Sequence, residues 1–419
     1  MIKKIKNIYK IFGPGILMAT AAIGGSHLVS STQAGALFGW SLAIFILLIN
    51  FFKYPFFLAN VQYTMATKKS LIEGYASLGN SWLWLFTVLA VIAAVVNTAA
   101  VSMFAASLLG YFIPIKLTIN ILSFIIIFAC ILILIAGKYN LLNNVSKIIM
   151  ITLSIATVVA VVMAVTKDVN STLTDDFISP SAWTIASLGF IVILTGWMPA
   201  PIEISSIGSI WLKNQIKQTN ISAKNALLDF NVGFIVTAIL ALFFLALGAL
   251  VLHGSAYEFK DGIAFSHQLV TMYSTVIGDW SRLLIAFIAF ACMFGTSITV
   301  IDGYGRAVAE AFSLIRKNRS ASNRSVAIWT IFISIIGFLI IIYFASSMRT
   351  MLDFAMILSF TTTPIFAFLN YKLVRSTKLP KELQNGMFLN ILSICGLIFL
   401  FGFLILFIIY RWFPFLIGL

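Results

Sequence analysis

The sequence predicts an all-α integral membrane protein with eleven transmembrane helices, the first and sixth broken in mid-bilayer. Three observations carry this reading. Of 419 residues, 61% are hydrophobic and only 10% are charged, whereas a soluble domain carries about 25% charged residues. Apolar runs long enough to cross a hydrocarbon core of about 30 Å recur along the chain. Two of those runs hold helix-breaking residues at their centres.

Hydropathy places the spans near 12–35, 39–66, 82–110, 114–136, 147–166, 183–212, 226–252, 280–312, 326–346, 350–371 and 387–413. Alternate connecting segments differ in charge. Segments 1–11, 67–81, 137–146, 213–225, 313–325 and 372–386 collect most of the Lys and Arg. The opposite loops carry Asp168, Asp175, Asp176, Glu258, Asp261 and Asp279. Basic loops stay cytoplasmic, so a multi-pass protein of the cell inner (plasma) membrane is expected, with the N-terminus inside and the C-terminus outside. The same rule accounts for the net charge of +14 without nucleic acid as a partner; the partner is the lipid bilayer.

The N-terminal MIKKIKNIYK precedes an apolar stretch without a small-residue cleavage pattern, so a retained first helix is expected. Residues 254–279 read as an extracellular loop. Residues 1–419 form one transmembrane domain: a repeat at about 12–166, a second at about 183–371, and an additional helix at about 387–413. Cys130, Cys292 and Cys395 lie in apolar runs and read as packing residues.

Gly24-Gly25-Ser26-His27 interrupts the first span. Glycine pairs weaken a helix, and polar groups at this depth need a cavity or protein partners. Met198-Pro199-Ala200-Pro201 interrupts the sixth. Each proline removes a backbone donor and clashes with the preceding turn. The two breaks occupy matching positions in two five-helix halves. That is the pattern of an inverted-repeat transporter with its site between broken helices.

Gly13-Pro14-Gly15, Ile23, Gln33-Ala34-Gly35-Ala36, Met198-Pro199 and Glu310-Ala311-Phe312 resemble the natural-resistance-associated macrophage protein (NRAMP) family of metal transporters. The resemblance implies a leucine-transporter-like fold of 5+5 inverted repeats, with secondary active transport by alternating access. It also implies where the chemistry departs. The family's Asp-Pro-Gly-Asn is matched by Gly24, Gly25, Ser26 and His27. Its methionine ligand matches Met198, and its carbonyl ligand matches that of Thr195. Its histidines are replaced by Ala200 and Ser205. The acid of its third span is absent, leaving Asn97, and its tenth-span glutamine has no counterpart in residues 359–364.

These departures favour a small organic solute, zwitterionic or carboxylate-bearing, over ordinary manganese or iron transport. Gly24, Gly25 and Ser26 would offer backbone N–H groups and a half-helix N-terminus to an anionic group. Glu203, an intramembrane acid, would bind an ammonium, carry a coupling proton or pair with His27, which titrates near neutral pH when unperturbed. Substrate contacts are thus expected from Gly24, Gly25, Ser26, His27, Thr195, Met198, Ala200 and Glu203. Coupling or gating is expected from Glu203, His27, Asn97 and the i,i+4 pair Asp302 and Arg306.

The alternative is a proton-coupled divalent or soft metal cation transporter with a rebuilt site of His27 and Met198, with Glu203 replacing the lost acid. Thr296, Ser297 and Thr299 read as hydroxyls bonded back to their own helix, the resemblance offering sodium ligation instead. Lys53 and Tyr54, before Pro55, read as snorkelling or as lining a cavity edge. No cofactor is implied beyond a coupling proton or sodium ion. No nucleophile–base pair or metal triad suggests an enzyme.

Overall fold

A computed structural model describes residues 13–137, 139–166, 177–219, 221–254, 260–317 and 320–413. The basic segment 1–11 and the acids Asp168, Asp175, Asp176 and Glu258 lie outside the described residues. The first span is α1 (Pro14–Ala22), a π-helical segment (Ser26–Ser31) and α2 (Thr32–Phe38). Then follow α3 (Ala43–Thr67), the short α4 (Leu71–Leu78), α5 (Asn80–Gly110), α6 (Ile119–Ile135) and α7 (Tyr139–Thr166). The sixth span is α8 (Leu188–Trp197) and α9 (Ile204–Gln218). The chain continues through α10 (Ala223–Val251), α11 (Gly262–Ile277), α12 (Arg282–Ile315), α13 (Asn323–Tyr343), α14 (Met348–Ser376) and α15 (Met387–Trp412).

Seven of these helices are each long and apolar enough to cross a membrane unaided; the two broken spans and the shorter apolar helices α6 and α7 complete the eleven. Outward faces present large apolar side chains such as Ile44, Leu283 and Ile398, the surface expected of lipid contact. Trp40, Trp183, Trp280 and Trp412 are exposed, as amphipathic indoles at membrane interfaces commonly are.

Two elements correct the sequence reading. The segment taken as an extracellular loop contains α11, whose N-cap Asp261 side chain accepts from Gly262 N–H at 2.8 Å. The loop 67–81 contains α4, started by a capping box in which Ser70 and Glu73 serve each other's backbone N–H groups at 2.7 and 3.2 Å. The fifth span also starts earlier than hydropathy placed it, at Tyr139. Cys130 and Cys292 are buried as expected, while Cys395 is exposed on the outer surface.

The first span crosses α10 twice at backbone contact. A Cβ on Gly15 would lie 2.3 Å from the Asp229 carbonyl oxygen, and one on Gly233 2.5 Å from that of Gly15. At the other end, a Cβ on Gly35 would meet the Leu245 carbonyl oxygen at 2.0 Å, and one on Gly248 that of Thr32 at 2.1 Å. Small residues at such crossings let helices approach until dispersion and polar contacts hold them, since lipid offers no hydrophobic drive. Asp229 adds a cap: its carboxylate accepts from Gly13 N–H at 3.2 Å and from Gly15 N–H at 2.7 Å. It thereby serves the orphan amides and positive end of α1.

At the basic end Lys213 of α9 bridges two helices. Its ammonium lies 2.6 Å from Glu73 of α4 and 2.8 Å from Glu310 of α12. Ser209 of α9 also accepts from the Leu71 N–H at 2.9 Å.

Gly35→Ala would force α2 and α10 apart, an overpacking cost of about 1–3 kcal/mol. Gly402→Ala would be neutral, because nothing lies within 4 Å of its Cβ position. Thermal unfolding of the detergent-purified variants measures the contrast; equal midpoints would show that the crossing is not tight.

Candidate functional site

The sixth span breaks because its sequence removes its own donors. A helical carbonyl accepts from the N–H four residues on. For Thr195 and Trp197 those residues are Pro199 and Pro201, which have none. The helix stops at Trp197, Met198 turns extended, and α9 restarts at Ile204. The first span stops at Ala22 and restarts through the π-helical segment at Ser26. Both interruptions predicted from sequence are present.

Lys53, from α3, meets the orphaned Thr195 carbonyl and two others beside it. Its ammonium donates to the Thr195 carbonyl at 2.6 Å and to those of Gly196 and Ala200 at 3.3 Å. Three N–H donors thus meet three acceptors, and the side chain is 0% exposed. Sequence reading had Lys53 snorkelling or lining a cavity edge; the structure buries it among the carbonyls of the broken sixth span. The signal was available, since two prolines so close together leave carbonyls that an outside donor must serve.

A cavity of about 30 Å³ lies between the breaks, lined by Gly25, Ser26, Asn97, Trp197, Ala200 and Tyr304 among others. That is well short of the roughly 300 Å³ at which small-molecule pockets begin. The Trp197 indole closes it from one side, and a Cβ on Gly25 would lie 2.5 Å from its ring. Gly24 faces α12, where a Cβ would meet Thr296 at 3.1 Å.

A polar chain runs from the cavity wall to Glu203. Trp197 Nε1 donates to Asn97 Oδ1 and to Ser359 Oγ, both at 3.1 Å. Asn97 Nδ2 donates to the Tyr304 hydroxyl at 3.0 Å. That hydroxyl donates to Glu203 Oε1 at 3.1 Å. Glu203 is 2% exposed, and its other oxygen, Oε2, has no hydrogen-bond partner among the described residues. Tyr304 and Ser359, absent from the sequence-derived set, connect Asn97 to Glu203 and Trp197.

Other expected site residues point elsewhere. His27 does not line the cavity. Its Nδ1 lies 2.7 Å from Ser26 Oγ and its Nε2 2.9 Å from the Thr237 carbonyl of α10, so it packs between helices. It does not pair with Glu203, whose hydrogen bond goes to Tyr304. Met198 is buried in a separate apolar cluster with Ala34, Phe38 and Leu245. The Gly24 N–H is engaged by the Ala22 carbonyl at 3.0 Å, so the three amides expected to face a ligand are not all offered to it. Thr195 contributes its carbonyl to Lys53, while its hydroxyl bonds back to Ile191.

Asp302 and Arg306 form the expected pair, Nε lying 2.8 Å from each carboxylate oxygen. They sit away from the cavity, and Arg306 opens toward two clefts flanking α12. Thr296, Ser297 and Thr299 all bond back to carbonyls of their own helix.

This arrangement has relatives. The family model described as natural resistance-associated macrophage protein-like matches residues 15–410. The chain belongs to the Nramp family. An uncharacterized protein of Pasteurella multocida (strain Pm70) is 49% identical to this Nramp protein over 404 residues, covering 96% of this chain and 92% of that one. A crystal structure of a mutant manganese transporter from Eremococcus coleocola matches with a TM-score of 0.75 at 13% identity, over 96% of this chain and 87% of that one. MhsT in complex with L-phenylalanine matches with a TM-score of 0.65, also at 13% identity, over 93% of this chain and 98% of that one. At these identities the likeness to solved structures is one of fold.

Asn97→Ala would leave the Trp197 indole with one acceptor and the Tyr304 hydroxyl without its donor. A cost of about 1–3 kcal/mol is expected for stranding buried polar groups. Thr361→Ala removes only an exposed hydroxyl bonded to its own helix and serves as the control. Thermal unfolding of the two variants compares them, and an unshifted Asn97→Ala midpoint would exclude a structural role for the chain.

Proposed function

We propose that this Nramp-family transporter is a secondary active carrier of a small zwitterionic or carboxylate-bearing organic solute. It would act by alternating access in the inner membrane with its N-terminus inside. The observation that carries this reading is the chemistry of the cavity wall. Where the two breaks face each other the wall includes Gly25, Ser26, Asn97, Trp197, Ala200, Thr296 and Tyr304. These supply neutral hydrogen-bonding groups and no carboxylate. A desolvated divalent ion needs oxygen ligands that offset its charge. A polar organic head needs instead a few directional partners and a close-fitting wall.

Glu203 supports the second half of the reading. A carboxylate buried beside the cavity with one oxygen unpartnered suits either a substrate ammonium or a coupling proton. The hydroxyl–amide chain through Tyr304 and Asn97 joins it to the wall. Ser26 spans the breaks, its hydroxyl 2.6 Å from the Ala22 carbonyl and 3.4 Å from that of Pro199. Solute binding there would draw the half-helices together. The metal alternative has less support from geometry, because the His27 ring and the Met198 thioether are packed in different places.

Thermal unfolding of the purified protein against small amino acids, short carboxylates, amines and manganese tests the reading. Stabilisation by one organic class is expected, with affinity lowered roughly tenfold in Ser26→Ala for loss of about one hydrogen bond. In proteoliposomes a proton gradient should drive accumulation of that solute, and Glu203→Gln should abolish the drive. A manganese-specific shift that disappears in Met198→Ala would defeat the organic-solute reading.

A further inference from the structure

Lys53 serves no role in the solute reading above, yet it is the most completely enclosed charge at the site. Its surroundings are those of an ion-binding site. Thr195 and Gly196 lie in the last turn of α8, where carbonyls without intrahelical donors carry the negative end of the helix dipole. Ala200 adds a third carbonyl from the extended linker. All three converge on one point, and the Lys53 nitrogen occupies it at 2.6, 3.3 and 3.3 Å.

We propose that the Lys53 ammonium is a tethered cation filling a carbonyl site in the broken sixth span, so that this site takes no sodium or metal ion from solution.

Chemistry and connectivity both support this. The stem enters from α3, a helix outside both broken spans, so the charge is delivered by a scaffold element to a segment that has lost its own donors. An ammonium presents three N–H groups to three acceptors, matching in number and leaving none over. A freely diffusing cation entering the same point would meet a positive charge already in contact with its ligands. Glu203, the N-cap residue of α9 at the end of the same linker, is buried and makes no salt bridge to Lys53. The inference holds whichever solute is carried.

The test uses ions rather than substrate. Wild type, Lys53→Ala and Lys53→Gln are purified and their thermal unfolding compared at equal ionic strength in choline, sodium and butylammonium chloride, with manganese as a further arm. Wild type should show no cation-specific shift. Lys53→Ala should unfold several degrees lower in choline and regain part of the loss in sodium or butylammonium, which can fill the vacated point. If Lys53→Ala cannot be recovered folded, Lys53→Gln, which is uncharged and one bond too short to reach all three carbonyls, carries the test and should gain the cation response. A wild-type sodium or manganese shift of the same size as the variant's would overturn the proposal. So would a folded variant that responds to no cation. Because no transported solute enters the measurement, its failure would leave the substrate assignment to be judged separately.

Discussion

A helix that stops inside hydrocarbon leaves carbonyls facing no water and no neighbour on their own strand of backbone. Each such group costs several kcal/mol unless it is served. The whole centre of this molecule is organised around that constraint. Pro199 and Pro201 take donors from Thr195 and Trp197, and the Lys53 ammonium meets the Thr195, Gly196 and Ala200 carbonyls. Removing one partner from such a set strands the rest, so α3 and the sixth span cannot shift independently.

The first span answers the same constraint differently. Its amino end is capped by Asp229 from α10, 214 residues away from Gly15 in sequence. Its interruption is bridged by the Ser26 hydroxyl and by local turns at Gly24. Four glycines then press it against α10 at both ends. The first span and α10 are thus joined by backbone contact, and the sixth span is joined to α3 by a charge. Trp197 lies where these two assemblies meet, resting on Gly25 and bonded to Asn97 and Ser359.

Much of this was legible in the sequence. The eleven spans followed from length and polarity, and the breaks followed from Gly24-Gly25 and Pro199-Pro201, whose local effects are strong. The Asp302–Arg306 pair followed from i,i+4 spacing alone. What could not be read was which side chain serves which orphan. Lys53 read as snorkelling or lining a cavity edge because lysines at such places usually reach water; only the packing of α3 against the sixth span puts its nitrogen among carbonyls. His27 and Met198 sat at the right points along the chain but face away from the cavity, because sequence position fixes depth better than rotation about a helix axis. Tyr304 went unnoticed as an aromatic in an apolar run, and α4 and α11 were hidden in segments too short and polar to register as spans.

The bridge at the basic end has a mechanical meaning of its own. One ammonium, that of Lys213, is shared by carboxylates on α4 and α12. Swinging α12 outward would release Glu310 alone and leave Glu73 to hold α9. Withdrawing α9 would release both at once. A fastening of this kind yields by whole clasps, one or both, and not by gradual stretching.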